Sequence, residues 1–267
     1  MSSLNSRRVT DYFSQSGTVS TWWTPDEGPM RFHYDAELQI LRDHLPIDPS
    51  WRVLDVGTGS GRFGLHFADA GCRVVGVDLN PEMLGAARER AEQLGLQDRF
   101  ELRQANAEDL SALGESRFDV VTCMELFDHL PDLDGVLAEI RRILEPGGRF
   151  LFTYVPSESL YGALGNAYRW IRSRTHPSEL AVSQTWSRAE IQRRLTDNGL
   201  RLERYWGVGL LCASAQTRLF QDSALVNALI AIGRAEAKRW PYYERPWLAR
   251  HGAHVVGLAR SPGATAS

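Results

Sequence analysis

The chain has 267 residues, with 30 lysines and arginines against 33 aspartates and glutamates, for a formal net charge of -3. A hydrophobic share of 43% and a charged share of 24% are those of a soluble globular protein, and the length suits one α/β domain with additions. The near-neutral balance argues against duplex DNA or an anionic membrane surface as a partner.

The N-terminal stretch lacks the basic start, apolar core and small-residue cleavage site of a signal peptide. The longest apolar run, about Ala224 to Gly233, is too short to span a bilayer, so no integral membrane segment is expected. Cys72, Cys123 and Cys212 have no metal-type spacing and are odd in number, which suits a reducing compartment and predicts a cytoplasmic location. Lys238 is the only lysine, and of the Trp and Tyr residues only Trp51 falls within residues 51–150. The aromatic skew separates a plain core from aromatic flanks.

In chain order, residues 1–50 read as an N-terminal helical cap segment. It contains the polar, aromatic stretch Thr21-Trp22-Trp23-Thr24-Pro25-Asp26-Glu27-Gly28. From Arg52 onward, apolar runs of strand character alternate with helical periodicity. The predicted strands are Arg52–Val56, Arg73–Leu79, Phe100–Asn106, Phe118–Leu126 and Gly148–Val155, and the predicted helices are Arg62–Ala70, Pro81–Leu94 and Leu133–Leu144. Pro81 suits a first helical turn, and Pro146-Gly147-Gly148 closes the last of these helices. Repeated strand, helix, strand units predict right-handed crossovers and a doubly wound, Rossmann-like α/β sheet with helices on both faces. Further on, residues 157–186 carry Tyr161, Tyr168, Trp170 and Trp186 without a clean period. A helix from about Ser187 to Asn198-Gly199, a strand over Leu200–Val208, a helical 210–240 and a final strand over Ala253–Ala259 complete the reading. Residues 51–267 thus form one domain, with cap insertions near 157–186 and 209–252.

The informative stretch is Val53-Leu54-Asp55-Val56-Gly57-Thr58-Gly59-Ser60-Gly61-Arg62-Phe63-Gly64, which follows a predicted strand and opens a helix. Such a place in an α/β sheet binds nucleotide-like ligands, because glycines permit a tight turn and close backbone approach. Asp78 ends the next strand, where a carboxylate can accept both hydroxyls of a ribose. A dinucleotide loop would want glycine at Arg62, and Asp55 would repel phosphates while suiting a cationic ligand. A nicotinamide oxidoreductase is therefore disfavoured.

An acid before a G-x-G-x-G turn, with a second acid ending the next strand, resembles the class I S-adenosylmethionine-dependent methyltransferases. Gln104-Ala105-Asn106-Ala107-Glu108-Asp109-Leu110 stands where that family contacts adenine, with Asn106 in place of the usual Asp. Phe118–Pro131 matches the fourth-strand signature, and Leu144-Glu145-Pro146-Gly147-Gly148 the turn before the fifth strand. The resemblance covers about residues 50–156. It implies a seven-stranded sheet with an antiparallel last strand, and S-adenosyl-L-methionine as cofactor. The cofactor would be held by Asp55, Gly57, Thr58, Gly59, Gly61, Asp78, Leu79, Met83, Asn106, Ala107, Glu108 and Met124.

Thr122-Cys123-Met124-Glu125 with Asp128-His129, and Trp22–Gly28 with His33 a few residues on, resemble the ubiquinone-biosynthesis O-methyltransferases; Thr175-His176-Pro177 echoes them more weakly. That group methylates phenolic hydroxyls on polyprenylated rings, and some members use a divalent metal near the fourth-strand acids and histidine. The group commonly has Asn and Arg where this chain has Ala36 and Gln39. A phenol is a poor nucleophile at neutral pH, since its pKa is near 10. Its proton must pass to a base or be loosened by a cation. Glu125, Asp128 and His129, at i, i+3 and i+4, would share one side of a turn. Three readings stay open: His129 as base with Asp128 or Glu125 orienting it, a site for Mg²⁺ or another divalent ion, or a helix cap without chemical role.

Methyl transfer needs an aligned acceptor and a dry pocket, and aromatic walls suit both tasks. Trp22, Trp23, Tyr154, Tyr161, Tyr168 and Trp186 are the candidate acceptor contacts. The insertion near 209–252 reads either as a lid over the acceptor or as a packing layer or homodimer surface. The expected activity is methyl transfer to a small molecule, most simply O-methylation of a phenolic or polyprenyl-type natural product. N- or C-methylation, or cofactor binding without catalysis, are the alternatives.

Overall fold

In the computed structural model, residues 6–14, 31–175, 183–210 and 224–263 are described. Seven strands form one sheet: β1 (Arg52–Val56), β2 (Arg73–Asp78), β3 (Phe100–Gln104), β4 (Phe118–Cys123), β5 (Leu144–Tyr154), β6 (Arg201–Val208) and β7 (His254–Arg260). Their order is β3-β2-β1-β4-β5-β7-β6. The first five are parallel, and β7 runs antiparallel to both β5 and β6, so the expected antiparallel last strand is present. Because β4 and β2 flank β1 on opposite sides, the carboxyl ends of β1 and β4 open a crevice where the winding reverses.

Adjacent residues of a strand face opposite sides, and the core divides accordingly. Leu54, Val121, Phe150 and Val255 pack under α5 (Leu133–Ile143) and α7 (Arg188–Asp197). Val53, Val120, Leu151 and Val256 pack on the other face, against α2 (Arg31–His44), α3 (Arg62–Asp69) and α4 (Pro81–Gln93). Helix starts follow their chemistry: the Asn80 side chain accepts from the Glu82 and Met83 amides with Pro81 in the first turn, and Ser187 accepts from Glu190.

Two sequence expectations change. Residues 157–186 contain a helix, α6 (Leu160–Thr175), where no period was legible. The fourth strand ends at Cys123, three residues before Leu126, because Glu125 adopts a left-handed conformation (φ 57) that no strand accommodates. The chain then makes a 3-10 turn, Phe127–His129. Within the 209–252 insertion, α8 (Ala224–Arg239) packs against α2, and Tyr242 and Tyr243 fasten its end. Tyr242 donates to Asp43 on α2, and Tyr243 exchanges backbone hydrogen bonds with Gly207 of β6. No described helix is long and apolar enough to cross a membrane.

Candidate active site

A cavity runs along the carboxyl ends of the parallel strands, and its walls come from nearly every element around the crevice. One end is floored by Gly57 and Gly59 of the loop after β1, Asp78 at the end of β2 with Leu79 after it, and Asn106, Ala107 and Glu108 after β3. The other end is walled by Glu125, Asp128 and His129 after β4, Tyr161 and Arg169 on α6, and His254 on β7. The first helix, α1 (Ser6–Phe13), lies across the mouth through Val9, Thr10 and Phe13. It is tied down where the Asn80 side-chain amide (Nδ2) donates to the Phe13 carbonyl at 2.7 Å.

The loop is built from beneath. Asp55, 2% exposed, accepts from the Thr58 hydroxyl at 2.6 Å, the Thr122 hydroxyl at 2.5 Å and the Gly64 amide at 3.0 Å. With its oxygens so occupied, Asp55 shapes the turn and does not line the cavity; nor do Thr58 and Gly61. Gly61 makes room for Phe100, whose ring would lie 2.8 Å from a Cβ placed there. These three predicted cofactor contacts thus lie one layer behind the wall. Gly57 (φ +70) and Gly59 (φ +53) do face the cavity. A Cβ on Gly59 would meet nothing within 4 Å, so the backbone there presents an open cradle. Asp78 pins this cradle, accepting from the Gly59 amide at 2.8 Å and the Asn80 amide at 2.9 Å. Burial pushes the Asp78 carboxyl upward against the pull of these amides.

Gly57→Ala tests the loop. The new Cβ would sit 2.8 Å from Leu126 Cδ2 on a backbone that L residues avoid, which costs about 1–3 kcal/mol in strain and overpacking. Cofactor affinity should fall at least tenfold with the fold retained, as a titration beside a thermal melt would show; unchanged affinity would contradict the cradle.

Of the predicted acceptor contacts, Tyr161 lines the cavity and Tyr168 lies on α6. Trp22 and Trp23 lie outside the described residues, as do His176 and Pro177. Tyr154 (3% exposed) and Trp186 (6%) are core residues rather than cavity walls. Tyr154 follows Phe150 and Phe152 in alternation on the inward face of β5, stacking on Phe152, and the Trp186 indole donates to the Phe127 carbonyl at 3.2 Å. The described part of the 209–252 insertion contributes no cavity wall.

The acid-acid-histidine string is pulled apart. The left-handed turn at Glu125 breaks the helical spacing on which a shared face depends, and the three side chains take separate partners. Asp128 accepts from the Val155 amide through both oxygens (3.0 and 3.2 Å), His129 sets its ring edgewise against Phe13, and Glu125 turns to His254 at 2.9 Å. A metal site made of Glu125, Asp128 and His129 is not assembled. Two residues that the sequence did not single out stand with Glu125 instead: Glu37 on α2, fully buried, and His254 on β7. Burial raises the Glu37 carboxyl to about 7, and the flanking carboxylates hold His254 well above the usual imidazole range despite its burial. The His254 charge in turn holds Glu125 low.

Burial also lifts the Asp128 carboxyl from 3.8 to about 7. Between those values the unfolded chain has released this proton and the folded chain keeps it, so the residue's contribution to stability falls as pH rises through that window. Melting curves of wild type and Asp128→Asn should therefore diverge from pH 4 to pH 7, the wild type losing ground; parallel curves would contradict the assigned environment.

Comparison with known proteins agrees with this geometry. A methyltransferase-domain family matches residues 54–152. The ubiquinone biosynthesis O-methyltransferase of Methylococcus capsulatus is 32% identical over 223 residues, covering 81% of this chain and 91% of that protein. The chain belongs to the S-adenosylmethionine-dependent methyltransferase family. The Xanthomonas euvesicatoria protein of the same name is 31% identical over 197 residues, covering 71% of this chain and 80% of its own. The Synechocystis magnesium protoporphyrin IX methyltransferase, solved with bound S-adenosylhomocysteine, shares the fold at a TM-score of 0.65 and 18% identity, covering 96% of this chain and 100% of that one. The protein is thus a methyltransferase that uses S-adenosylmethionine, and the glycine cradle with Asp78 has the form such a ligand needs.

Proposed function

We propose that this methyltransferase O-methylates a phenolic hydroxyl of a small aromatic acceptor, a polyprenyl-type or related natural product. The carrying observation is that one cavity is lined both by the glycine cradle and by a wall of acidic and imidazole groups. S-adenosylmethionine supplies a methyl group already activated on a sulfonium, so the chain's task is to bind, align and keep water out. In this reading the backbone at Gly57 and Gly59 receives the methionine part and Asp78 the ribose hydroxyls. Leu79, Met83, Asn106, Ala107 and Glu108 enclose the adenine, and Met124 backs the reacting end.

His129 is the proposed proton acceptor, because it lines the acceptor end on a short turn and Phe13 fixes its ring. The acceptor's O–H bond breaks toward that imidazole as the oxygen takes the methyl. The electron pair of the breaking carbon–sulfur bond returns to sulfur. Tyr161 and Arg169 on α6 and the α1 helix are the proposed acceptor-side walls, and α1 its cap. The relatives' O-methyltransferase names support oxygen as the acceptor atom. The buried free thiols Cys72 and Cys123 support a reducing, cytoplasmic setting.

The test is an assay with isotopically labelled S-adenosylmethionine against catechols with and without a prenyl chain, and against matched amines. Label recovered as an aryl methoxy group, and lost in His129→Ala while cofactor affinity persists, is the expected result. Label on nitrogen or carbon, or full turnover in His129→Ala, would sink the respective assignment.

A further inference from the structure

The proposed chemistry leaves unused a group of buried charges at the inner wall of the cavity. Glu37 on α2, Glu125 after β4 and His254 at the start of β7 direct Oε1, Oε1 and Nδ1 toward one spot. His254 Nδ1 lies 2.9 Å from Glu125 Oε1 and 3.5 Å from Glu37 Oε1, and all three donor atoms lie within 4.8 Å of one another. The two His254 separations bracket the roughly 3.0–3.4 Å edges that a cation with bonds of about 2.1 Å imposes on octahedral or tetrahedral ligands. The donors come from three elements far apart in the chain, so their convergence is a product of the fold and not of local sequence.

Each donor is also held from behind. Glu37 is fully buried, and its second oxygen is taken by Arg62 at 3.0 Å, which leaves Oε1 for the shared spot. The Arg62 guanidinium is in turn held over the Tyr34 ring at 3.7 Å. The Glu125 amide donates to Thr153 at 2.5 Å, fixing the only described non-glycine residue with positive φ. A strained backbone maintained by its surroundings marks a functional position. The His254 ring is stacked on His33, centroids 5.0 Å apart. Outer partners that fix ligand orientation in this way are the second half of most metal sites. Glu125 and His254 also line the cavity, so a cation held by the three residues would be within reach of a ligand at the acceptor end.

We infer that Glu37, Glu125 and His254 form a divalent-cation site at the acceptor end of the cavity. Two carboxylate oxygens and one imidazole nitrogen suit Mn²⁺, Fe²⁺ or Zn²⁺, and less closely Mg²⁺, which prefers oxygen alone. A cation there would lower the pKa of a hydroxyl drawn up to it, so the inference rests on the O-methylation reading for its purpose. Its existence is measured separately. Without a cation, a proton on His254 bridges the same two carboxylates, as the 2.9 and 3.5 Å contacts describe.

The experiment is calorimetric titration of the metal-stripped full chain with Mn²⁺ alone, repeated with saturating S-adenosylhomocysteine. One Mn²⁺ per chain is expected, with affinity reduced at least tenfold in Glu37→Gln and in His254→Asn and unchanged in Asp128→Asn and His129→Ala. Thermal melts qualify each variant, and if Glu37→Gln does not fold, Glu125→Gln replaces it. Electron spin echo spectra of the wild-type Mn²⁺ form should show a single imidazole nitrogen, which the His254→Asn variant lacks. Absence of Mn²⁺ and Zn²⁺ binding while S-adenosylhomocysteine still binds would overturn the cation site and leave the methyltransferase reading standing. Loss of Mn²⁺ in Asp128→Asn and His129→Ala, with retention in Glu37→Gln, would also overturn it. Mn²⁺ binding as expected, with only unmethylated or N-methylated product, would uphold the site and defeat the O-methylation reading.

Discussion

Replacing Asp55 by alanine should lower the melting temperature by roughly 6–20 °C and abolish cofactor binding together with it. The carboxylate is 2% exposed and serves two hydroxyls and one amide, from Thr58, Thr122 and Gly64. Removing it strands those donors beneath the loop, which costs about 3–5 kcal/mol when a buried charged acceptor is deleted. Burial pushes the Asp55 carboxyl upward, and the three donors oppose the push, so the carboxylate depends on them as they depend on it. Asp55→Asn keeps the shape and part of the hydrogen bonding, and its loss should be smaller. A thermal melt of both variants decides the matter: an unshifted Asp55→Ala curve would mean that the turn is held by something else.

Asp78→Ala should behave differently, weakening S-adenosylhomocysteine binding by roughly a hundredfold or more with a modest loss of stability. Asp78 faces the cavity, and each hydrogen bond from a ribose hydroxyl to a carboxylate contributes about 1.5–3 kcal/mol. The same carboxylate accepts from the Gly59 and Asn80 amides, so its removal also loosens the cradle. Asp78→Asn retains an acceptor for one of the two amides and should fall between. The contrast between the two aspartates is diagnostic: one supports the loop from below, and the other faces the cavity where the ligand is proposed to bind. Calorimetry beside melting curves separates them, and equal affinity losses at equal stability would contradict this division.

Much of this was legible in the sequence because the signals are local. Strands β1 and β2, the glycine loop and Asp78 follow from apolar alternation and from the turn chemistry of glycine within some thirty residues. The third glycine illustrates the limit: Gly61 looked like a ligand contact, yet what it admits is the Phe100 ring, a partner 39 positions away. Glu37 and His254 were not legible for the same reason, since only folding brings α2 and β7 to the end of β4. One clue was available, a histidine opening the apolar run His254–Ala259. Tyr154 could have been assigned to the core from its phase with Phe150 and Phe152. The left-handed Glu125 could not, because nothing in Met124-Glu125-Leu126 marks a residue that tertiary contacts force there.

The aromatic skew also acquires a more exact meaning. The plain segment from 51 to 150 supplies five strands and the cradle, while aromatics outside it divide between structure and the cavity. Trp206 and Tyr242 brace His44 on α2, at ring distances of 4.8 and 5.4 Å, which steadies the helix that carries Glu37. Among the candidates named from sequence, Tyr161 faces the cavity, whereas Tyr154 and Trp186 lie in the core.

The most direct test of the whole account is calorimetric titration of the wild-type chain with S-adenosylhomocysteine and, in parallel, with NAD. Saturable one-to-one binding of the sulfur ligand and no heat from NAD are expected, because Arg62 stands where a dinucleotide loop has its third glycine and Asp78 faces the cavity where the ribose is proposed to lie. Tight NAD binding with no response to S-adenosylhomocysteine would contradict it.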